Sequence, residues 1–224
     1  MPIPNTSPQL DSGAGSLSDA AFEQLSIAVV DGTFESGETL AERDLERWLG
    51  ISRTPIRAAL HRLHVLGLVE IQPSRHTRVT AVSATTVRET LEFTGYQAGL
   101  AVRMAVPRMN ATDRRIAADM VEDMVAASEA GDATDLFDAS RRLVGLMTHQ
   151  SGNRIFMKFL AEAALILARN LRGQRPMLGS VQERRECYET LRDAILRGDG
   201  GAAEDAFRRQ HQLELANHED PHHE

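Results

Sequence analysis

Cysteine occurs once in this chain, at Cys187. One thiol forms no internal disulfide and supplies no paired zinc ligands, so a reducing cytoplasm is the expected compartment. Aromatic residues are scarce as well, at 4%, which argues against a stacking platform for single-stranded nucleic acid. No apolar run approaches the roughly 18 residues that a membrane span requires, so no membrane partner is expected. Met1–Gly15 lacks a basic start and an apolar stretch, and no secretory leader is expected there. Gly-x-Ser-x-Gly, His-Glu-x-x-His and a phosphate-binding glycine loop are all missing. Gly198-Asp199-Gly200-Gly201 is glycine-rich but sits between two helical patterns and reads as a helix break. Neither an enzyme nor a cofactor is expected.

What is present suits a folded protein of one large or two small domains: 224 residues, 42% of them hydrophobic. The net charge of −7 speaks against a protein that coats nucleic acid indiscriminately. Charge is not evenly spread, however. From Ile51 to Thr80 stand Arg53, Arg57, Arg62, Arg75 and Arg78 against Glu70 alone, five minus one or +4, which leaves −11 for the remainder. A basic stretch on an acidic body predicts a local nucleic-acid contact.

Residues 1–16, rich in Pro, Ser and Gly, are expected to be a flexible tail. Phe22, Leu25 and Val29 then recur at helical spacing, with Ser18 as N-cap and Gly32 as the stop. A turn at Glu35–Glu38 leads to a second helix over Ala41–Leu49, with Leu45, Trp48 and Leu49 inward and Gly50 just past its end. Ser52 can cap a third helix, which carries Pro55 in its first turn and buries Ile56, Leu60 and Leu63. Two short strands, Leu68–Gln72 and Thr77–Val82, flank the turn Pro73–His76. This order predicts a winged helix-turn-helix over 17–82. From Ser83 onward only amphipathic helices are expected, over Ala84–Val106, Asp113–Ala130, Ala133–Gln150, Arg154–Arg169, Val181–Arg197 and Ala202–Leu215. The fold class is therefore mainly α: a reader with a small β-hairpin wing, then a helical bundle over 83–217, with 218–224 as a second flexible tail.

The informative stretch is Gly50-Ile51-Ser52-Arg53-Thr54-Pro55-Ile56-Arg57. Arg53 and Arg57 are one helical turn apart and share a face. In a helix-turn-helix the second helix enters the major groove with its first residues at the base edges, where arginine can grip guanine O6 and N7 together. Hydroxyls and helix-start N–H groups hold phosphates.

From Gly37-Glu38-Thr39-Leu40-Ala41-Glu42-Arg43, through that stretch, to Leu66-Gly67-Leu68-Val69-Glu70, the chain resembles the GntR family of bacterial regulators. Val87–Gln212, with Ser151-Gly152-Asn153 and Asp193–Asp199, is similar to the FCD effector domain of the FadR-type branch. The resemblance implies DNA contacts at Arg43, Ser52, Arg53, Thr54 and Arg57, with the wing tip near Arg75. The family often has Gly at that tip, where this chain has Ser74 or His76. It also implies a repressor that binds a double-stranded operator as a homodimer through the helical domain. Leu91, Leu100 and Met104 are candidates for that contact and equally good core.

Many FCD domains hold a divalent metal with an Asp and three His. Those positions fall here on Ser140, Val144, Tyr188 and Gln210, which are poor metal ligands. His149 and His211 lie nearby but out of register, and one residue on a helix is a turn of about 100°. The family's pocket arginine and glutamate on the first long helix are replaced by Thr94 and Ala98. The expectation is a metal-free pocket for a small neutral or weakly polar effector, with Ser140, Tyr188 and Gln210 as hydrogen-bond partners, Thr94 nearby and Val144 as an apolar wall. Two alternatives stay open: a DNA-binding regulator with no effector, and a winged-helix module that binds protein.

Overall fold

The computed structural model describes residues 16–72, 76–174 and 177–211. The tail before Ser16, the wing-tip residue Arg75 and the tail 218–224 lie outside them. The chain divides into two compact units. One gathers the described residues up to Val87 together with Glu162–Arg172; the other gathers Arg88–Ala161 with the described residues from Gly173 onward.

The first unit begins with α1 (Leu17–Asp31). Its N-cap is Ser16, not the expected Ser18. The Ser16 hydroxyl accepts from Asp19 N–H while the Asp19 carboxylate accepts from Ser16 N–H, the reciprocal pair that closes a helix start. α2 (Glu42–Leu49) and α3 (Arg53–Val65) follow, joined at Gly50, whose φ of 68° suits a residue without Cβ. β1 (Val69–Gln72) pairs antiparallel with β2 (His76–Val79), Val69 opposite Val79 and Gln72 opposite His76. His76 is thus a strand residue rather than part of the turn. β2 is also flanked on its other edge, where Leu40 N–H donates to Thr77 O and Val79 N–H to Glu38 O. Leu25, Phe34, Leu45, Trp48, Ile56, Leu60, Leu63 and Leu68 fill the core, with the Phe34 and Trp48 rings edge-on at 5.2 Å.

Six helices follow: α4 (Ala84–Ala105), α5 (Ala111–Glu129), α6 (Ala133–Gln150), α7 (Arg154–Asn170), α8 (Val181–Arg197) and α9 (Gly200–Gln210). Their breaks follow local chemistry. Gly152 takes φ 62°, and Asn153 Oδ1 then accepts from the N–H groups of Ile155 and Phe156 to start α7. Gly198 closes α8 and Asp199 caps α9, accepting from Ala202 N–H. At Gly200 an added Cβ would stand 2.6 Å from Arg103 O, so the start of α9 passes α4 where only glycine fits. Glycine here serves a close backbone approach. The core of this unit is built from Val102, Val121, Met124, Leu143, Met147, Tyr188, Leu191, Ile195 and Phe207.

α7 departs from the expected bundle. Its residues divide between the two units after Ala161. Leu165 and Ile166 pack against the core of the first unit, and Arg169 donates to Thr80 O just beyond β2. The sequence of α7 is apolar around much of its circumference, so periodicity alone could not assign its partner.

Candidate nucleic-acid interface

The buried stripe of α3 (Ile56, Ala59, Leu60, Leu63) fixes which residues face outward. Ser52, Arg53, Thr54 and Arg57 are all exposed on the opposite side, and so is Arg43 on α2. Ser52 has the backbone angles of an N-cap, φ −71° and ψ 164°, yet its hydroxyl makes no capping bond. The hydroxyl and the first N–H groups of α3 are therefore available to an anion. The five expected DNA-contact residues within the described region thus lie on α2 and the start of α3; the sixth, Arg75, falls outside it.

Two acidic residues that the sequence reading passed over complete this surface. Arg53 Nε donates to Glu46 Oε1 at 2.7 Å and stands 3.4 Å from Glu42 Oε2. Arg57 Nε donates to Glu42 Oε1 at 3.1 Å. The hydrogen bond and charge of Glu46, with a smaller contribution from Glu42, hold the Arg53 guanidinium above its ordinary pKa. Glu42 and Glu46 are one turn apart on α2, a spacing visible in the sequence but informative only once α2 is laid against α3. Arg43 makes no ion pair among the described residues.

The expected basic field needs correcting. Arg62 donates to Asp19 at 2.7 Å and lies 3.8 Å over the Phe22 ring. Arg78 pairs with Glu70 at 2.7 Å. Glu70 is held below the usual carboxylate range first by the Gln72 amide and then by Arg78. Four of the five arginines between Ile51 and Thr80 thus carry a carboxylate partner. Over residues 17–82 there are seven Arg and nine Asp or Glu, so the sum is 7 − 9, or −2. The +4 came from a window that left out α1 and α2. What remains is a set of exposed, individually placed arginines.

The expected effector residues are distributed differently. Tyr188 is 1% exposed, in the core, and burial pushes its phenol up to about 12 even though Arg184 opposes the shift. Val144 packs against the same core, and Ser140 is half-buried on α6, about two and a half turns before His149. Thr94 spends its hydroxyl on Leu91 O at 2.9 Å. Gln210 opens instead on a surface cavity of about 340 Å³, lined also by Arg184, Cys187, Thr190 and Arg209. Arg184 is committed to structure: its Nε donates to Ser128 Oγ at 2.8 Å and its Nη1 to Gly179 O at 2.6 Å.

A metal does not fit this donor set. Ser140, Val144, Tyr188 and Gln210 offer no charged or imidazole ligand. His149 is exposed. His211 is stacked on Phe207 at 4.9 Å, with Nδ1 3.0 Å from Phe207 O and its pKa lowered by burial. Among the described residues no three His, Cys, Asp or Glu gather where they could hold an ion.

The family model for bacterial regulatory proteins of the gntR family matches residues 17–79, and that for the FCD domain matches 85–212. The chain belongs to the GntR family. This GntR regulator is 35% identical over 124 residues to an uncharacterized HTH-type transcriptional regulator of Agrobacterium vitis from the TAR-I ttuE-ttuC' intergenic region, a match covering 54% of this chain and 72% of that protein. Among solved structures it is similar to E. coli McbR/YncC, with TM-score 0.57, 22% identity and 91% and 97% of the two chains covered. It is also similar to a GntR transcriptional regulator from Rhodococcus sp. RHA1, with TM-score 0.60, 19% identity and coverage of 91% and 97%. At such identity these two establish the fold. The GntR regulator is thus a DNA-binding transcriptional regulator with an FCD domain, in a family of regulators and not of enzymes. No described helix is long and apolar enough to cross a membrane.

Proposed function

We propose that this regulator is a cytoplasmic repressor that binds a double-stranded operator as a homodimer, with 17–82 as reader and 83–217 as the dimerising and sensing part. One observation carries the reading: Arg53 and Arg57 stand exposed on the first two turns of α3, beside a Ser52 hydroxyl that caps nothing. In the major groove the two arginines read base edges, while Arg43, Ser52 and Thr54 hold phosphates and Arg75 follows with the wing. One reader covers too few base pairs for selectivity in a genome, and a two-fold dimer doubles the site. Among the described residues of the unit that holds Arg88–Ala161, several apolar side chains are exposed: Ile155 is 78% exposed, Phe159 59% and Leu100 41%. Leu91 and Met104, the other expected contacts, are half-buried. Occupancy of an operator is enough to block transcription and needs no further surface.

The sensing part takes a small neutral or weakly polar effector at Ser140, Val144, Tyr188, Gln210 and Thr94, without metal. A second reading, in which the helical part is a dimerisation body with no effector, is favoured by Tyr188 lying wholly inside the core and by the hydroxyl of Thr94 being spent on its own helix. The test is selection of duplexes from a randomised library, followed by light scattering with the selected operator and melting against a metabolite panel. A selected palindrome, a mass near twice 24.7 kDa and release of DNA by one metabolite are expected. Absence of any selected sequence would end the DNA reading. Operator binding unaffected by every metabolite would favour the effector-free body.

A further inference from the structure

We infer that Glu46 and Glu42 are positioning residues for base reading: they clamp Arg53 and Arg57 by the inner nitrogen, so that the outer nitrogens are presented as a preformed fork to guanine. The inference rests on the DNA-reading role proposed above for α3.

A guanidinium has two kinds of edge. Bidentate recognition of guanine O6 and N7 uses two parallel N–H groups in a rigid fork, and the end-on fork is the Nη1 and Nη2 pair. The contacts with the carboxylates are made through Nε in both arginines: Arg53 Nε to Glu46 Oε1 at 2.7 Å and to Glu42 Oε2 at 3.4 Å, and Arg57 Nε to Glu42 Oε1 at 3.1 Å. The reading edge is thus left to the ligand while the side chain is held from behind. Glu42 spans both arginines, so the two forks are tied to one another across a helical turn. The carboxylates are the less exposed partners, with side-chain exposure of 29% each against 58% for Arg53 and 69% for Arg57. α2 in turn is seated by Leu45, Trp48 and Leu49.

The alternative use of these carboxylates is simple competition, in which each arginine must leave its glutamate before it can touch DNA. Competition and clamping predict opposite results. An arginine free of its clamp samples many rotamers and reaches phosphates as readily as bases, so losing the clamp costs selectivity. An arginine freed from a competitor binds every DNA more tightly and loses none.

The experiment measures affinity of the full chain for a selected operator, for the same operator with the contacted guanines replaced, and for random duplex, over a range of salt. Variants are Glu46→Ala, Glu46→Gln and Arg53→Ala. Gln keeps an acceptor for Nε at the same reach, without the charge. Under the clamp, Glu46→Ala lowers the ratio of operator to guanine-replaced binding by about tenfold, Glu46→Gln restores most of that ratio, and binding to random duplex holds or rises because a negative charge is gone. A Glu46→Ala chain that binds the operator more tightly with its ratio intact overturns the clamp. So does one that weakens all three duplexes by the same factor, since that is loss of structure alone. Selectivity that survives Arg53→Ala in a chain with Glu46 intact overturns the assignment of Arg53 as a base reader. A chain that selects an operator through Arg53 but is indifferent to Glu46 fails only the clamp.

Discussion

Charged side chains do different work on the α3 surface and in the core of the helical unit. Around α3 the arginines are exposed, and carboxylates reach only part of each guanidinium, so hydrogen-bonding capacity is left over. In the core of the helical unit two buried charged groups are instead engaged by the protein itself. Arg184, 5% exposed, is spent on Ser128 and on the carbonyls of Leu178 and Gly179. Glu204, also 5% exposed, is spent on Arg103 at 2.9 Å and Arg208 at 2.5 Å. A polar group that is already satisfied inside the protein holds structure; one with donors to spare is ready for a ligand. The difference explains why a binding surface stands out in the first unit, while in the second the polar residues mostly explain the packing.

That contrast can be broken or sharpened, starting with the largest effect. Phe207 is 2% exposed in the helical core. Phe207→Ala should cost about 3–5 kcal/mol of stability in urea titrations. Per folded molecule, operator affinity should stay near wild type if the reading surface belongs to the first unit alone.

Next is the phenol of Tyr188, raised from 10.0 to about 12 by burial. A folded pKa above the unfolded value means stability is fully present below about pH 10 and is lost as pH rises toward 12, by roughly 3 kcal/mol at most. Denaturation of wild type and Tyr188→Phe across that window should show the extra fall only in wild type. Equal falls would mean that Tyr188 is already hydrated, and that the helical unit keeps an opening to the interior after all.

Smaller effects separate residues within the reading surface. Arg53→Ala should cost about 1–3 kcal/mol of operator binding and relax base choice at one position, measured by titration against single-base operator variants. Arg43→Ala should weaken all duplexes alike and reduce the salt slope by about 1. If Arg43 rather than Arg53 governed base choice, α2 would be the reading helix.

The sequence made the first unit readable because its signals are local. Gly50, Pro55 and the Ile56, Leu60, Leu63 stripe each act within a turn or two, and they place α2, α3 and the exposed arginines. The carboxylates behind those arginines were out of reach for the same reason: Glu42 and Arg57 meet across fifteen positions, through a packing angle that no periodicity encodes. The thirty-residue charge window failed likewise, by excluding Asp19, Glu42 and Glu46. In the helical unit the boundaries of α6 and α8 fell where the periodicity put them, yet the role of Thr94 depended on a bond to Leu91 O within its own turn. The expected pocket rested on family register alone.

The last turns of α7 also bear on how the protein is made. Arg169 reaches Thr80 O across 89 positions, and Arg172 reaches Asp31 O across 141. Leu165 and Ile166 arrive with them to cover the first core. During synthesis the winged helix therefore leaves the ribosome well before the segment that covers part of it, and the loop to be closed is long. A nascent chain stalled near Val82 should be more open to protease than the same residues in the finished protein. Trimming the gene to the reader alone would make that unfinished state permanent.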